Sequence, residues 1–169
     1  MNETINTIIS RRSIKAYTDE LVSDYLLNEI TTAATYSASG MNKQSALMVV
    51  VKDKALRDKL SALNASILGI TSDPFYNAPV VIVVLADSNV RTYVEDGSLV
   101  MGNLMNAAFS VGVSSCWIHR AKEMFESVME KKDVQIAKAK ARKALAWKIG
   151  AGVGCLALVC ALAFGLQKD

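Results

Sequence analysis

The chain is poor in the residues that hold metals and cross-links. It contains one histidine, His119, so a multi-histidine metal site is excluded and a Ser/His/Asp triad would have a single candidate base. Its three cysteines, Cys116, Cys155 and Cys160, cannot all pair. Their spacing matches neither a zinc site nor a disulfide framework, and they read as buried thiols of a reducing compartment. Two prolines and nine glycines in 169 residues exclude collagen-like and proline-rich low-complexity classes. The opening Met1-Asn2-Glu3-Thr4 carries an acid and no apolar run, which does not suit a signal peptide, so a cytoplasmic location is expected. Charge of one sign is also scarce. A net charge of +3 is too small to argue for nucleic acid as a partner, although it suits a site that accepts a phosphate.

What is abundant is apolar. Hydrophobic residues make up 51% of the chain and charged residues 21%, enough to bury a sizeable core and to exclude global disorder. The length fits one domain, 1–169.

Strand and helix signals alternate. Ile5, Ile8 and Ile9 predict a short helix over 3–10, ending at Arg11-Arg12. Ser23 is a candidate N-cap for a helix to about Tyr36, with Leu26, Leu27 and Ile30 on one face. Ala38–Asn42 is a loop by composition, and Leu47–Val51 is an apolar run of strand length. Asp53 is expected to cap a helix to about Leu63 with a Leu56, Leu60, Leu63 stripe. Asp73–Pro79 forms a loop before Val80–Leu85, an unbroken β-branched run that predicts a strand buried on both faces. A long helix over Thr92–Val111 is expected to turn Val94, Leu99, Leu104 and Ala108 inward, and Gly112 stands where a left-handed C-cap is wanted. A strand over Val113–Ile118 and a helix from Ala121 follow. The pattern implies a layered α/β or α+β domain.

The C-terminal fifth has two readings. Lys131 to Lys148 holds seven basic residues against one acid, and Ile149–Leu166 then runs 18 residues without a charge. That length meets the minimum for a membrane-spanning helix with basic flanks. Against it, Gly150, Gly152 and Gly154 recur with a period of two, would cost a soluble helix about 3 kcal/mol, and fit a buried strand over Val153–Val159.

Three clusters could carry chemistry. Arg11-Arg12-Ser13-Ile14-Lys15 places three cations and a hydroxyl within five residues; guanidinium forks bind phosphate bidentately and a serine can add a bond to the same group, though the segment is equally a solvated basic turn. Ser39-Gly40-Met41-Asn42 offers a hydroxyl, a backbone without Cβ and an amide in a row, able to approach a planar polar ligand or simply to turn. Val113–Arg120 ends a strand on polar groups, where open α/β sheets place ligands. A Cys116 nucleophile with His119 as base is disfavoured, because residues i and i+3 of a strand face opposite sides. Gly150-x-Gly152-x-Gly154 does not satisfy a dinucleotide fingerprint.

The order of the pieces is more specific than any one of them. Arg11-Arg12-Ser13-Ile14-Lys15-Ala16-Tyr17, Ser39-Gly40-Met41-Asn42-Lys43-Gln44, Asp73-Pro74-Phe75-Tyr76-Asn77-Ala78-Pro79 with Val80–Val84, and Ser115-Cys116-Trp117-Ile118-His119-Arg120-Ala121 together resemble a nitroreductase-family flavoprotein over about residues 3–127. Gly152–Leu158 resembles that family's last core strand.

The resemblance implies an α+β fold, a three-layer α/β/α sandwich with a mixed central sheet. It also implies a homodimer binding FMN at its interface and passing electrons from NAD(P)H to nitro-aromatics, quinones or a similar small acceptor in a ping-pong cycle. The flavin would do the chemistry, with no side chain required as acid or base. Carried over by position, Arg11 and Arg12 would meet the FMN phosphate and the pyrimidine side of the ring, and Ser13 the ribityl–phosphate region. Lys15 would sit by the N1/O2 edge, where positive charge stabilises the reduced ring. Ser39, Gly40 and Asn42 would reach the flavin from the partner subunit. His119 and Arg120 would place backbone donors near N5/O4, and Asn64 is a further candidate for a ring contact.

The chain departs from the family pattern in places. Ser45-Ala46-Leu47-Met48 stands where the family has Pro-Trp, a basic residue and Phe, Ala38 replaces a usual proline, and the long C-terminal arm with its Lys/Arg pair is not matched. Weaker FMN binding and a weaker dimer are expected from these. Two other readings keep part of the picture: the same cofactor used for flavin destruction, dehalogenation or dehydrogenation, or a degenerate flavin-binding module without turnover, docked to a membrane by Ile149–Leu166.

Overall fold

A computed structural model describes residues 2–129 and 156–167. In chain order the elements are α1 (Glu3–Ser10), α2 (Asp24–Thr35), a single 3₁₀ turn (Gly40–Asn42), β1 (Ala46–Val51), α3 (Lys54–Leu68), β2 (Val80–Asp87), α4 (Tyr93–Ser110), β3 (Ser114–Ile118), α5 (Ala121–Met129) and β4 (Leu156–Gly165).

The expected caps are in place. Ser23 Oγ accepts from Leu26 N–H, and Asp53 Oδ1 from Leu56 N–H at 2.7 Å. Gly112 sits at φ 78°, with Val113 N–H bonded to Ala108 O and Gly112 N–H to Phe109 O, the paired bonds of a Schellman motif.

The four strands form one sheet in the order β1-β2-β4-β3, every neighbouring pair antiparallel. The mixed character expected of the sheet is confined, among the described residues, to an isolated parallel bridge between Ser13 and Ser115. β2 is central and buried on both sides. Val80, Ile82 and Val84 pack with Leu27 and Ile30 of α2 and Met101, Leu104 and Ala108 of α4, while Val81, Val83 and Leu85 pack with Phe75, Ile118 and Met124 on the opposite face. The result is the three-layer arrangement anticipated from alternating strands and helices.

The last strand bears out the strand reading of the C-terminal apolar run and extends it. β4 is described over Leu156–Gly165, which contains the last four residues of the expected Val153–Val159 strand and runs six residues past its end. Its register against β2 (Val80↔Phe164 to Leu85↔Val159) and β3 puts it inside the sheet, which accounts for the lack of charge over 156–165. Among the described residues no helix is long and apolar enough to cross a membrane. Residues 149–155, the glycine repeat included, and the basic stretch 131–148 lie outside the described residues.

Two helix faces also differ from expectation. On α3, Leu60 and Leu63 pack against the core as expected, but Leu56 is 47% exposed, and Arg57, Ser61, Asn64 and Ala65 are the residues buried. A polar knot holds this face. Arg57 Nε donates to Ala78 O at 3.0 Å, its Nη2 pairs with Asp73, and Ser61 Oγ donates to the same carboxylate. α3 also runs five residues past Leu63, to a left-handed Gly69. On α4, Val94 and Leu99 are exposed while Asp96, Gly97, Val100 and Met101 are buried with Leu104 and Ala108. The inward face lies one to two residues away from the most hydrophobic reading, because Gly97 and Asp96 pack where larger apolar groups were sought. The three isoleucines of α1 stay about half exposed, and α1 has no buried residue.

Candidate functional site

The site is built where the chain before α2 lies along β3. Ile14 N–H donates to Ser115 O at 3.2 Å, and Tyr17 pairs with Gln167 while Thr18 N–H donates to Leu166 O at 2.9 Å. Residues 13–18 therefore strap the ends of β3 and β4, and the strap brings Arg11, Ser13 and Lys15 to Cys116. Ser13 hydrogen bonds to the Cys116 thiol, and Lys15 and Arg11 act on it electrostatically. Burial outweighs these and holds the thiol above its ordinary pKa, so it is protonated near neutrality.

The cations are held differently. Arg12 turns back to the end of α1, its Nη1 donating to Ile9 O at 2.7 Å and Arg11 O at 2.8 Å. It serves as a C-cap, which removes that nitrogen from the phosphate contact expected of it. Arg11 is the contrast: its Nη1 is buried and has no hydrogen-bond partner among the described residues. Lys15 Nζ stands 5.4 Å from the centroid of the Tyr76 ring. An unpaired buried guanidinium nitrogen is costly unless an acceptor arrives, and an anionic oxygen is the acceptor that suits it. Arg11, Ser13 and Lys15 thus fit a phosphate-bearing cofactor such as FMN.

At the far end of β3 the chain turns through Arg120, at φ 70°, into α5. The Arg120 N–H, expected as a flavin donor, is taken by His119 Nδ1 at 2.9 Å. His119 O accepts from Asn64 Nδ2 at 3.0 Å, and the same nitrogen lies 3.0 Å from Met124 Sδ. Asn64 is fully buried and fastens α3 to the β3–α5 turn; its Oδ1 has no hydrogen-bond partner among the described residues. Cys116 is buried under the strap and His119 is exposed, consistent with the strand geometry that argued against their pairing.

The second expected cluster lies elsewhere. Gly40 N–H donates to Asp96 Oδ1 at 3.0 Å, Ser45 Oγ donates to Asp96 Oδ2 at 2.8 Å, and Gln44 N–H donates to Ser39 Oγ at 3.1 Å. The missing Cβ of Gly40 admits Thr92, whose Oγ1 would lie 2.3 Å from it. Three non-glycine residues of this loop, Met41, Asn42 and Gln44, hold positive φ.

The register measures the gap between the clusters. Ser115 is opposite Phe164 and through it Val80; Ala46, which follows the loop, is opposite Ala86. Three strand spacings and six residues separate them, about 14 Å across the sheet and about 20 Å along it. One chain does not bring Ser39, Gly40 and Asn42 to Arg11, Ser13 and Lys15.

Asp96, Ser45, Cys116, Ser115 and Tyr76 are the residues of these clusters that the sequence reading left unassigned. An acid within an otherwise apolar helix face was the available signal for Asp96.

The family model described as nitroreductase family matches residues 8–135. A protein of Archaeoglobus fulgidus, named as a candidate NADH dehydrogenase/NAD(P)H nitroreductase, is 33% identical over 123 residues, covering 70% of this chain and 68% of its own. An FMN reductase [NAD(P)H] of Bacillus subtilis is 35% identical over 90 residues, 53% of this chain and 34% of that one. Among solved structures, a nitroreductase with bound FMN from Desulfitobacterium hafniense superposes with TM-score 0.76 at 26% identity, covering all of this chain and 91% of the other. One with bound FMN from Bacteroides fragilis superposes with TM-score 0.77 at 22% identity, over 99% and 90%.

Proposed function

The chain belongs to the nitroreductase family, and from that premise we propose that it is an FMN-dependent oxidoreductase, taking electrons from NAD(P)H and passing them to a nitro-aromatic, a quinone or a similar small acceptor in a ping-pong cycle, as one domain in the cytoplasm. The observation that carries the reading is the buried, unpartnered Arg11 Nη1 beside Ser13 and Lys15. When bound, the flavin supplies the hydride chemistry. The chain's part is to bind and orient it: Arg11 and Ser13 hold the phosphate end, and Lys15 adds positive charge along the strap.

The separation of the two clusters supports a homodimer in which Ser39, Gly40 and Asn42 of one subunit complete the site of the other. The half-exposed Ile5, Ile8 and Ile9 of α1 add apolar surface suited to such an association.

A visible absorption spectrum of the purified protein, before and after anaerobic NADH, tests the reading. Flavin bands that bleach support it, and an Arg11→Ala chain should bind FMN about ten- to a hundred-fold more weakly, the effect of losing a charge-assisted bond. A protein that neither carries nor takes up FMN defeats it. One that binds FMN without reduction is the non-catalytic flavin module.

A further inference from the structure

Asp96 is 2% exposed, yet it is a carboxylate in the first turns of α4 with, among the described residues, no basic side chain within ion-pair distance. A buried charge of this kind persists only where donors converge on it. Two do, Gly40 N–H at 3.0 Å on Oδ1 and Ser45 Oγ–H at 2.8 Å on Oδ2, and the N-terminal end of α4 adds its favourable dipole.

The two donors flank the strained part of the chain. Met41 (φ 52°), Asn42 (φ 53°) and Gln44 (φ 47°) all lie between Gly40 and Ser45. Left-handed backbone at non-glycine residues is retained where the surroundings over-determine it, and such residues concentrate at ligand sites. Asp96 supplies that constraint from below, gripping the loop immediately before and immediately after the strained residues. A second, smaller clamp within the loop is the bond from Gln44 N–H to Ser39 Oγ.

We infer that Asp96 is a positioning residue: it never reaches the surface, but through Gly40 and Ser45 it sets the conformation in which the 39–44 loop meets the flavin. The inference rests on the FMN reading of the preceding section. A general structural role would make any loss of Asp96 a loss of stability alone. A positioning role requires the bound flavin to register the change even where the fold does not.

Three variants of the full chain separate these. Ser45→Ala removes one bond at a half-buried position. Asp96→Ala removes both. Asp96→Asn keeps an oxygen for Gly40 N–H and an amide that can donate to Ser45 Oγ. Each is titrated with FMN by flavin fluorescence, the saturated complex is examined by visible circular dichroism, and exchange of the Gly40 amide is followed without FMN. Ser45→Ala should lower the melting temperature modestly, and in the still-folded chain it should weaken FMN binding at least threefold and alter the dichroism of bound flavin. Asp96→Ala should weaken binding at least tenfold and expose the Gly40 amide, and Asp96→Asn should return affinity to within threefold of the parent. If Asp96→Ala does not fold, Ser45→Ala decides. A parent that binds FMN alongside a Ser45→Ala chain of equal affinity and equal flavin dichroism overturns the inference. A parent that binds no FMN overturns the reading beneath it and the inference with it.

Discussion

A Cβ added to Gly165 would lie 2.9 Å from Cδ1 of Tyr17, closer than such atoms approach. The last residue of β4 is therefore the place where the N-terminal strap crosses the sheet. Tyr17 fixes the crossing, its hydroxyl donating to Ile14 O at 2.5 Å and reaching Ala163 O at 3.4 Å. Burial pushes its phenol pKa up, so it remains a donor throughout the working pH range.

Gly165→Ala should accordingly destabilise the protein by about 1–3 kcal/mol, the cost of an overpacked core position, since Pro79 Cδ at 3.0 Å blocks the alternative direction. A urea melt measures it. Because the strap carries Arg11, Ser13 and Lys15, FMN affinity should fall in the same variant, and unchanged affinity would uncouple the strap from the site.

Asn64→Ala would leave His119 O without its donor and a void beneath the β3–α5 turn. A loss of about 1–3 kcal/mol is expected for a buried bond removed on one side. Hydrogen exchange should localise the loosening to α5, and a variant melting like the parent would count against Asn64 as the fastening of that turn.

Asp73 gives a pH signature. Burial raises its pKa, but bonds from Ser61, Arg57 and the Phe75 and Asn77 N–H groups outweigh that and hold it below the ordinary carboxylate value. A depressed folded pKa contributes stability that is present above the unfolded value of about 3.9 and is lost as pH falls through the folded one. The parent should lose stability below about pH 4 more steeply than Asp73→Asn, which starts lower and lacks this component. Denaturation midpoints from pH 2 to 7 would show it, and parallel curves would remove Asp73 from the acid transition.

Cys116 should resist alkylation in the folded protein. Burial raises its pKa against the opposing influence of Lys15, Arg11 and Ser13, leaving little thiolate near neutrality. Peptide mapping after iodoacetamide at pH 7.5 should find Cys116 unmodified without denaturant and modified with it. Rapid native labelling would show that the strap does not cover it.

Local chemistry was legible in the sequence where short-range rules govern it. Ser23 and Asp53 as caps, Gly112 at a left-handed position and Val80–Leu85 as a doubly buried strand depend on neighbours a few residues away, and composition reveals them. The motif order identified the family for the same reason, since each motif is contiguous. What contiguity does not carry was settled by tertiary contact. The inward face of α3 follows Arg57 and Ser61, because Asp73 and Ala78 O wait there with partners for them. Arg12 leaves the cation cluster because the carbonyls of Ile9 and Arg11 at the end of α1 accept from its guanidinium. The apolar run after residue 155 is a strand because its backbone pairs with β2 on one side and β3 on the other. Asp96 is far from Gly40 and Ser45 in sequence but bonded to both in space. Residue order alone determined which segments form and what family they assemble into. The pairing of distant donors with buried acceptors, which depends on where those segments meet, decided which side chains the site can use.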